Sequence, residues 1–356
     1  MRVGIVSPYS LTLPGGVQGQ VLGLARALRA LGHPTRVLGP CDGPPPDAGV
    51  TPLGDSLPTA ANGSVAPIAP DASAALRTIR AIRDEDFDVI HVHEPMVPGP
   101  TMTALVLRPC PVVGTFHAAG GSLAYDMLKP CCRWLGRRID RAFAVSDDAV
   151  EMARDVLPAA PEVTFNGVEV ERFAEASPAP KTHPTIFFLG RHEPRKGLAV
   201  LLAAMGEIDL DVRLWVAGDG PETETLRAQT AGDHRIVWLG RIREEEKLAR
   251  LKAADVFCAP SLRGESFGVV LLEAMASSTP VVAGNIAGYS RVARDGLDAL
   301  LVDPTSASAI ADAIVSILED DDRRAHLVGS GIERANEFSM DRLAEVYLHH
   351  FDELVG

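Results

Sequence analysis

Apolar residues in this 356-residue chain follow two rhythms, short β-branched runs and longer stretches of helical spacing, and the two alternate. In the first half the short runs lie at residues 3–6, 35–39, 89–92, 111–116, 141–145 and 162–165, which predicts six strands. Helical spacing over 17–31, closed by Gly32 as a C-terminal cap, predicts the clearest helix. Strands joined by helices in this way build a parallel sheet covered on both faces. Residues 40–70 break the rhythm. Pro, Gly, Asp and Ser crowd there, only 64–68 reads as a strand, and a loop-rich excursion is expected.

The alternation stops at Asn166-Gly167, passes a Pro- and Ala-rich stretch at 175–184 that suits an interdomain linker, and then restarts. Strands are expected at 185–190, 212–218, 236–239, 256–259, 281–283 and 299–302, and helices at 197–207, 222–230, 244–253 and 268–276. Helical patterns at 306–319, 321–338 and 340–354 close the chain, the last with Leu343, Val346, Tyr347 and Phe351 on one stripe. A single core stops growing near roughly 250 to 300 residues, so two domains are expected. The fold class that follows is α/β, two doubly wound Rossmann-like domains facing a central cleft, over residues 1–170 and 171–339.

With 46% hydrophobic and 23% charged residues the chain is too apolar for disorder. No apolar run approaches the roughly 20 residues of a bilayer span, and Ser7, Pro8 and Tyr9 interrupt the first one too early for a secretory signal. A cytoplasmic protein is expected. The net charge of −13 opposes nucleic acid as a partner. It is unevenly spread: residues 1–166 carry 14 basic and 16 acidic side chains, residues 167–356 carry 20 and 31, so an anionic surface would meet the first half. Cys41, Cys110, Cys131, Cys132 and Cys258 are odd in number, lack Cys-x-x-Cys spacing and read as reduced structural thiols.

Four motifs carry candidate chemistry. Gly15 and Gly16 follow the first strand and open the first helix, either as a plain turn or as backbone N–H groups that receive a phosphate. They do not make the dinucleotide fingerprint, because Gly-x-Gly-x-x-Gly is absent. Arg191 and Lys196, in GRHEPRKG, stand at a strand end, as a solvated basic turn or as two cations for a diphosphate. Glu265 and Glu273, eight residues apart in ESFGVVLLE, are able to face one cleft and accept from sugar hydroxyls, or else are a cap and a satisfied core acid. His91, His93 and His117 end two strands as a polar cluster with no Cys or carboxylate at metal-ligand spacing, so no metal is expected.

Taken together, PGGV, GRHEPRKG, GDGP and ESFGVVLLE resemble the retaining nucleotide-sugar glycosyltransferases of family 4, over essentially the whole chain. MRVGIVSPYS, PGGVQ, NGSVA, DVIHVHEP, NGVEVERF and GESFGVVLLEAMA are most similar to the actinobacterial phosphatidylinositol mannosyltransferases. The resemblance implies the GT-B fold, an acceptor-binding first domain onto which residues 340–356 pack back, and a donor-binding second domain. It implies GDP-mannose as donor, no metal or other cofactor, and phosphatidylinositol or a related inositol lipid as acceptor at the inner membrane face.

By the same resemblance the donor would be bound by Gly15, Gly16, Arg191, Lys196, Glu244, Lys247, Glu265, Ser266, Phe267, Gly268 and Glu273. Glu244 and Lys247 would meet the guanine, Glu265 the sugar hydroxyls and Glu273 the ribose. His117, Glu265, Arg191 and Lys196 would serve the reaction, and Tyr9, Gln18, Asn62 and His117 would line the acceptor pocket. Pro67 and Ala69 replace two arginines of the lipid-specific enzymes, Met96 and Ala118 replace small polar residues, and their Lys-rich membrane helix is represented by Arg77, Arg80 and Arg83. A second basic and aromatic surface runs through Arg133, Trp134, Arg137, Arg138 and Arg141. The remaining readings are a family 4 transferase with a soluble acceptor and a non-catalytic nucleotide-sugar-binding protein. The latter would be expected to have lost part of the Arg191, Lys196, Glu265 and Glu273 set, and all four are present.

Overall fold

The structure, a computed structural model, describes residues 1–61, 64–117 and 123–356, with the backbone alone at 60, 61, 64, 65 and 123–127. It divides into two units, Met1–Gly167 with Met340–Gly356, and Val168–Ser339. The division falls three residues before the expected boundary at 170 for a local reason. Gln20 donates from Nε2 to the Gly167 carbonyl and accepts the Gly167 N–H on Oε1, both at 2.8 Å, which holds Gly167 to the first unit. The next N–H, of Val168, instead donates to the Phe338 carbonyl at 2.9 Å.

The first unit contains strands β1 (Val3–Val6), β2 (Thr35–Gly39), β3 (Val50–Pro52), β4 (Leu57–Ala61), β5 (Ser64–Ile68), β6 (Val89–His93), β7 (Val112–Phe116), β8 (Arg141–Ala144) and β9 (Glu162–Val163). Seven of them make one parallel sheet in the order β3-β2-β1-β6-β7-β8-β9, while β4 and β5 pair as an antiparallel hairpin. Its helices are α1 (Gly16–Ala30), α2 (Ala72–Glu85), α3 (Pro100–Leu107), α4 (Leu123–Gly136) and α5 (Asp147–Arg154). Every residue of β1, β6 and β7 is buried, as a sheet covered on both faces requires.

The second unit adds β10 (Thr185–Leu189), β11 (Arg213–Ala217), β12 (Ile236–Gly240), β13 (Val256–Ala259), β14 (Val281–Gly284) and β15 (Leu300–Val302), all parallel, in the order β12-β11-β10-β13-β14-β15. Its helices are α6 (Val170–Ala174), α7 (Leu198–Met205), α8 (Thr223–Gln229), α9 (Glu244–Ala253), α10 (Val269–Ala276), α11 (Ala287–Ser290), α12 (Ala307–Glu319) and α13 (Asp321–Glu337). The last helix, α14 (Met340–Val355), belongs to the first unit. Its Leu343, Tyr347 and Phe351 share a core with Val21, Leu24 and Leu28 of α1 and with Ile5 and Val89 of the sheet.

The excursion at 40–70 holds more order than its composition suggests. β3 and β4 were not expected there, because Pro52 and Pro58 lower the strand reading. Proline is tolerated on an edge strand such as β3, and across the hairpin Pro58 simply faces Pro67. The hairpin is tied to the loop after β1 by a bridge between Tyr9 and Ile68 and by the Ser10 N–H, which donates to the Pro67 carbonyl at 2.9 Å. In both sheets the strand order reverses, between β1 and β6 and between β10 and β13, and doubly wound sheets bind ligands beside such points at the carboxyl ends of their strands.

Candidate functional site

In the first unit the chain leaves β1 at Val6 and reaches α1 through residues 7–15. This loop is held by its own hydroxyls and by a carboxylate. Ser10 Oγ and Ser56 Oγ donate to Asp42 Oδ2 at 2.5 and 2.8 Å, and the Asp42 N–H donates to Thr12 Oγ1 at 2.9 Å. Gln18 is buried and donates to the Ser10 carbonyl at 3.3 Å. α1 begins at Gly16 with Gly15 as cap, no side chain bonded to the cap and no acid in its first turn, so its first N–H groups lack a side-chain acceptor. A Cβ on Gly16 would meet nothing within 4 Å, so the packing does not dictate a glycine there.

Tyr9 is half-buried, and burial, with the nearby Glu94 carboxylate, pushes its phenol pKa up. Glu94 follows β6 in the left-handed region (φ 50°), a costly conformation for a non-glycine residue, and its Oε1 accepts the His117 N–H at 2.8 Å. His117 is buried with both ring nitrogens engaged: Nδ1 lies 3.1 Å from Asn166 Oδ1, and Nε2 lies 2.9 Å from His93 Nδ1. His91 packs against His93 with ring centroids 4.4 Å apart and planes tilted by 35°, and bonds Thr115 Oγ1 at 2.8 Å, which in turn meets the Tyr347 hydroxyl at 3.0 Å. Burial disfavours the imidazolium, so the pKa of His117 falls to about 4, that of His91 to about 3, and that of His93 well below its ordinary value. The cluster is therefore a chain of neutral rings at pH 7. Asn62 lies outside the described residues, as does Ala118.

The second unit assembles charges instead. Past β10, Arg191 Nε and Arg195 Nε donate to the two oxygens of Glu193 at 2.5 and 2.9 Å. Burial works against the Glu193 carboxylate, yet the two guanidinium groups hold its pKa below the ordinary range. Lys196 Nζ donates to Glu265 Oε1 at 2.6 Å, Ser261 Oγ donates to the same oxygen at 3.1 Å, and Arg195 approaches it at 3.4 Å. Ser261 Oγ is also 2.9 Å from the buried Tyr289 hydroxyl. Two glycines let these loops close. Gly197 (φ 71°) lies so near the Pro260 carbonyl oxygen that a Cβ would sit 2.0 Å from it, and a Cβ on Gly268 (φ 88°) would sit 2.7 Å from the Tyr289 ring.

The two acids of ESFGVVLLE thus have separate cations. Glu273, on α10, accepts from Lys247 Nζ of α9 at 2.8 Å, and Lys247 also bonds Glu244 at 3.0 Å. Burial alone would lower the Lys247 pKa, but the carboxylates of Glu273 and Glu244 raise it, so the ammonium stays charged. Its charge also stands 5.3 Å over the Phe173 ring. Ser266 is half-buried, while the Phe267 ring is core, edge-on to Phe338 at 5.7 Å, so only its backbone is offered to a ligand. Sequence reasoning missed Glu193 and Arg195, which lie inside the motif it quoted, and Asn166, which opens NGVEVERF. The available signal was Arg195 itself, a third cation between the two that were named.

Residues 169–334 match the family model for glycosyl transferases group 1, and residues 14–172 match that for glycosyltransferase family 4. The phosphatidyl-myo-inositol mannosyltransferase of Mycobacterium leprae is 38% identical over 366 residues, spanning 99% of this chain and 96% of that protein. Its namesake from Mycolicibacterium smegmatis is 39% identical over 368 residues, spanning 100% and 95%. Among solved structures, the Anabaena protein HepE in complex with UDP and glucose matches in fold, with TM-score 0.76 and 17% identity over 99% of this chain and 100% of that one.

Proposed function

The chain belongs to glycosyltransferase family 4, and from that premise we propose that it moves a mannosyl group from GDP-mannose, with retention of configuration, onto phosphatidylinositol. The observation that carries the reading is the group at the ends of β10 and β13, where Lys196 bonds Glu265 at 2.6 Å beside Arg191 and Arg195. The names of relatives 38 and 39% identical over the chain's length support the sugar and the acceptor.

Transfer breaks the bond from the sugar C1 to the diphosphate oxygen and forms one from C1 to an acceptor hydroxyl on the same face. The hydroxyl proton leaves with the diphosphate. The protein's part is to supply positive charge where negative charge grows on the leaving group. Arg191, Arg195 and Lys196 do this, held in advance by Glu193 and Glu265, and the N–H groups at Gly15 and Gly16 add to it. Glu265 accepts from sugar hydroxyls, Glu273 from the ribose, and Lys247 with Glu244 meets the guanine. Ser266, Phe267 and Gly268 contribute backbone. The first unit receives the acceptor at Tyr9, Gln18, His117 and Asn62.

A lipid acceptor calls for membrane contact at the inner face. No helix among the described residues is long and apolar enough to cross a membrane, so the contact would be peripheral. Leu76 (68% exposed), Val106 (54%) and Trp134 (49%) offer apolar side chains on α2, α3 and α4, with Arg77, Arg80, Arg83, Arg133 and Arg137 nearby in sequence. Protein partners already hold Arg77 on the Leu53 carbonyl, Arg133 on that of Asp155, Arg138 on those of Leu105 and Val106, and Arg141 on Glu353. A soluble inositol phosphate is the second reading, favoured by Pro67 and Ala69 at the positions of the two arginines.

Purified protein with GDP-mannose and phosphatidylinositol vesicles, followed by mass spectrometry of lipid and nucleotide, tests both. Mannosylated lipid with free GDP is expected. Mannosyl inositol phosphate formed in place of lipid product would select the second reading, and absence of nucleotide release with either acceptor would overturn the donor.

A further inference from the structure

We propose that Asn166 and His93 are positioning residues for the acceptor side, pinning the His117 ring between two hydrogen bonds so that it serves as a fixed neutral surface and not as a proton carrier. The inference rests on the reading that His117 borders the acceptor.

Asn166 Oδ1 accepts, so the His117 nitrogen 3.1 Å from it, Nδ1, carries the ring's single proton. His117 Nε2 is then bare and accepts from His93 Nδ1 at 2.9 Å, which leaves His93 with a bare Nε2. That nitrogen is buried and has no partner among the described residues. Reversing the chain of donors would leave a buried N–H there instead, the costlier orphan. Asn166 therefore sets the direction of the whole chain, and it is itself held in place, since Gly167 beside it is clamped by Gln20 through two bonds of 2.8 Å.

With both nitrogens engaged, His117 has neither a free lone pair to take a proton from an acceptor hydroxyl nor a free N–H to give. The groups that face it agree. His91 and His93 from β6 are held neutral by burial, as His117 is, and Glu94 spends Oε1 on the His117 backbone N–H. Tyr347 of α14 packs its uncharged ring against His91, centroids 4.5 Å apart, and bonds the Thr115 hydroxyl. Replacing the Asn166 amide by a carboxylate is the substitution that would turn this ring into an imidazolium.

The test combines imidazole NMR of His117 with the pH profile of transfer in wild type and Asn166→Asp. A wild-type ring silent between about pH 5.5 and 8.5, beside a variant ring that titrates in that window, is expected. The variant's rate relative to wild type should fall about tenfold from pH 8.5 to 6, as the imidazolium forms. A wild-type His117 that titrates in step with the rate, or a variant whose ring and profile match wild type, would overturn the proposal. His93 gives an independent arm that does not need the aspartate to fold: His93→Asn keeps a donor at the Nδ1 position and should keep the rate within about threefold, whereas His93→Leu should lose about tenfold. Equal rates in those two would also overturn it. The NMR arm needs no turnover, so a chain that failed to transfer mannose would still decide the ring's state.

Discussion

In the first unit, Glu94 apart, the buried polar cluster is uncharged: His93, His117 and Asn166 in one hydrogen-bonded set, His91, Thr115 and Tyr347 in another. In the second the polar groups are charged and paired, Arg191 and Arg195 on Glu193, Lys196 on Glu265, Lys247 on Glu273 and Glu244. The two arrangements suit different ligands. A neutral, directional chain positions a polyol without drawing its protons away, whereas cations already matched by carboxylates are able to turn toward a diphosphate when one arrives. Neutrality in the first unit comes from desolvation. Charge at Glu193 and Lys247 in the second survives because partners offset desolvation, whereas at Glu273 burial outweighs Lys247 and pushes the carboxyl pKa up.

The sharpest way to break this comparison is to remove a cation from the second unit. Lys196→Met should lower transfer by about 10² to 10³-fold, the cost of losing one charge stabiliser at a leaving group, while thermal unfolding stays near wild type because Arg195 remains on Glu265. Glu265→Gln should cost about 10²-fold in kcat with the fold intact, and wild-type turnover in that variant would remove Glu265 from the site. Lys247→Met strands Glu273 in its buried position. Breaking a buried pair costs about 3 kcal/mol, read as a loss of stability in urea, and the double variant Lys247→Met with Glu273→Leu should recover most of it.

Acid sharpens the contrast from the other side. His91, His93 and His117 are neutral when folded, with pKa values below the unfolded value of about 6.5. Their contribution is present above that value and is lost as pH falls toward about 4 for His117 and about 3 for His91. Each withdraws about 1.4 kcal/mol per pH unit in that window, so hydrogen exchange at pH 5 should show the first unit opening before the second. The smallest effect is expected at the exposed Arg80–Asp84 pair, where Arg80→Ala should change stability by less than about 1 kcal/mol.

Much of this was legible in the chain. The buried strands of a parallel sheet are near-continuous apolar runs, so β1, β2 and β13 stand where the pattern placed them to the residue. In the excursion at 40–70 the strand at 64–68 was legible, but β3 and β4 were not, because they are an edge strand and a hairpin arm whose prolines cost little there. Glu265 and Glu273 could be singled out from spacing alone, but not their partners, and the structure gives them different cations on different elements.

The sequence by itself determined that two parallel α/β halves follow one another and which short motifs end their strands, since period and punctuation are local properties. Only the tertiary structure decided which cation meets which carboxylate and which ring nitrogen carries a proton. Those depend on partners such as Asn166 and His117, far apart in sequence and joined only when separate strand ends come together and water is excluded from between them.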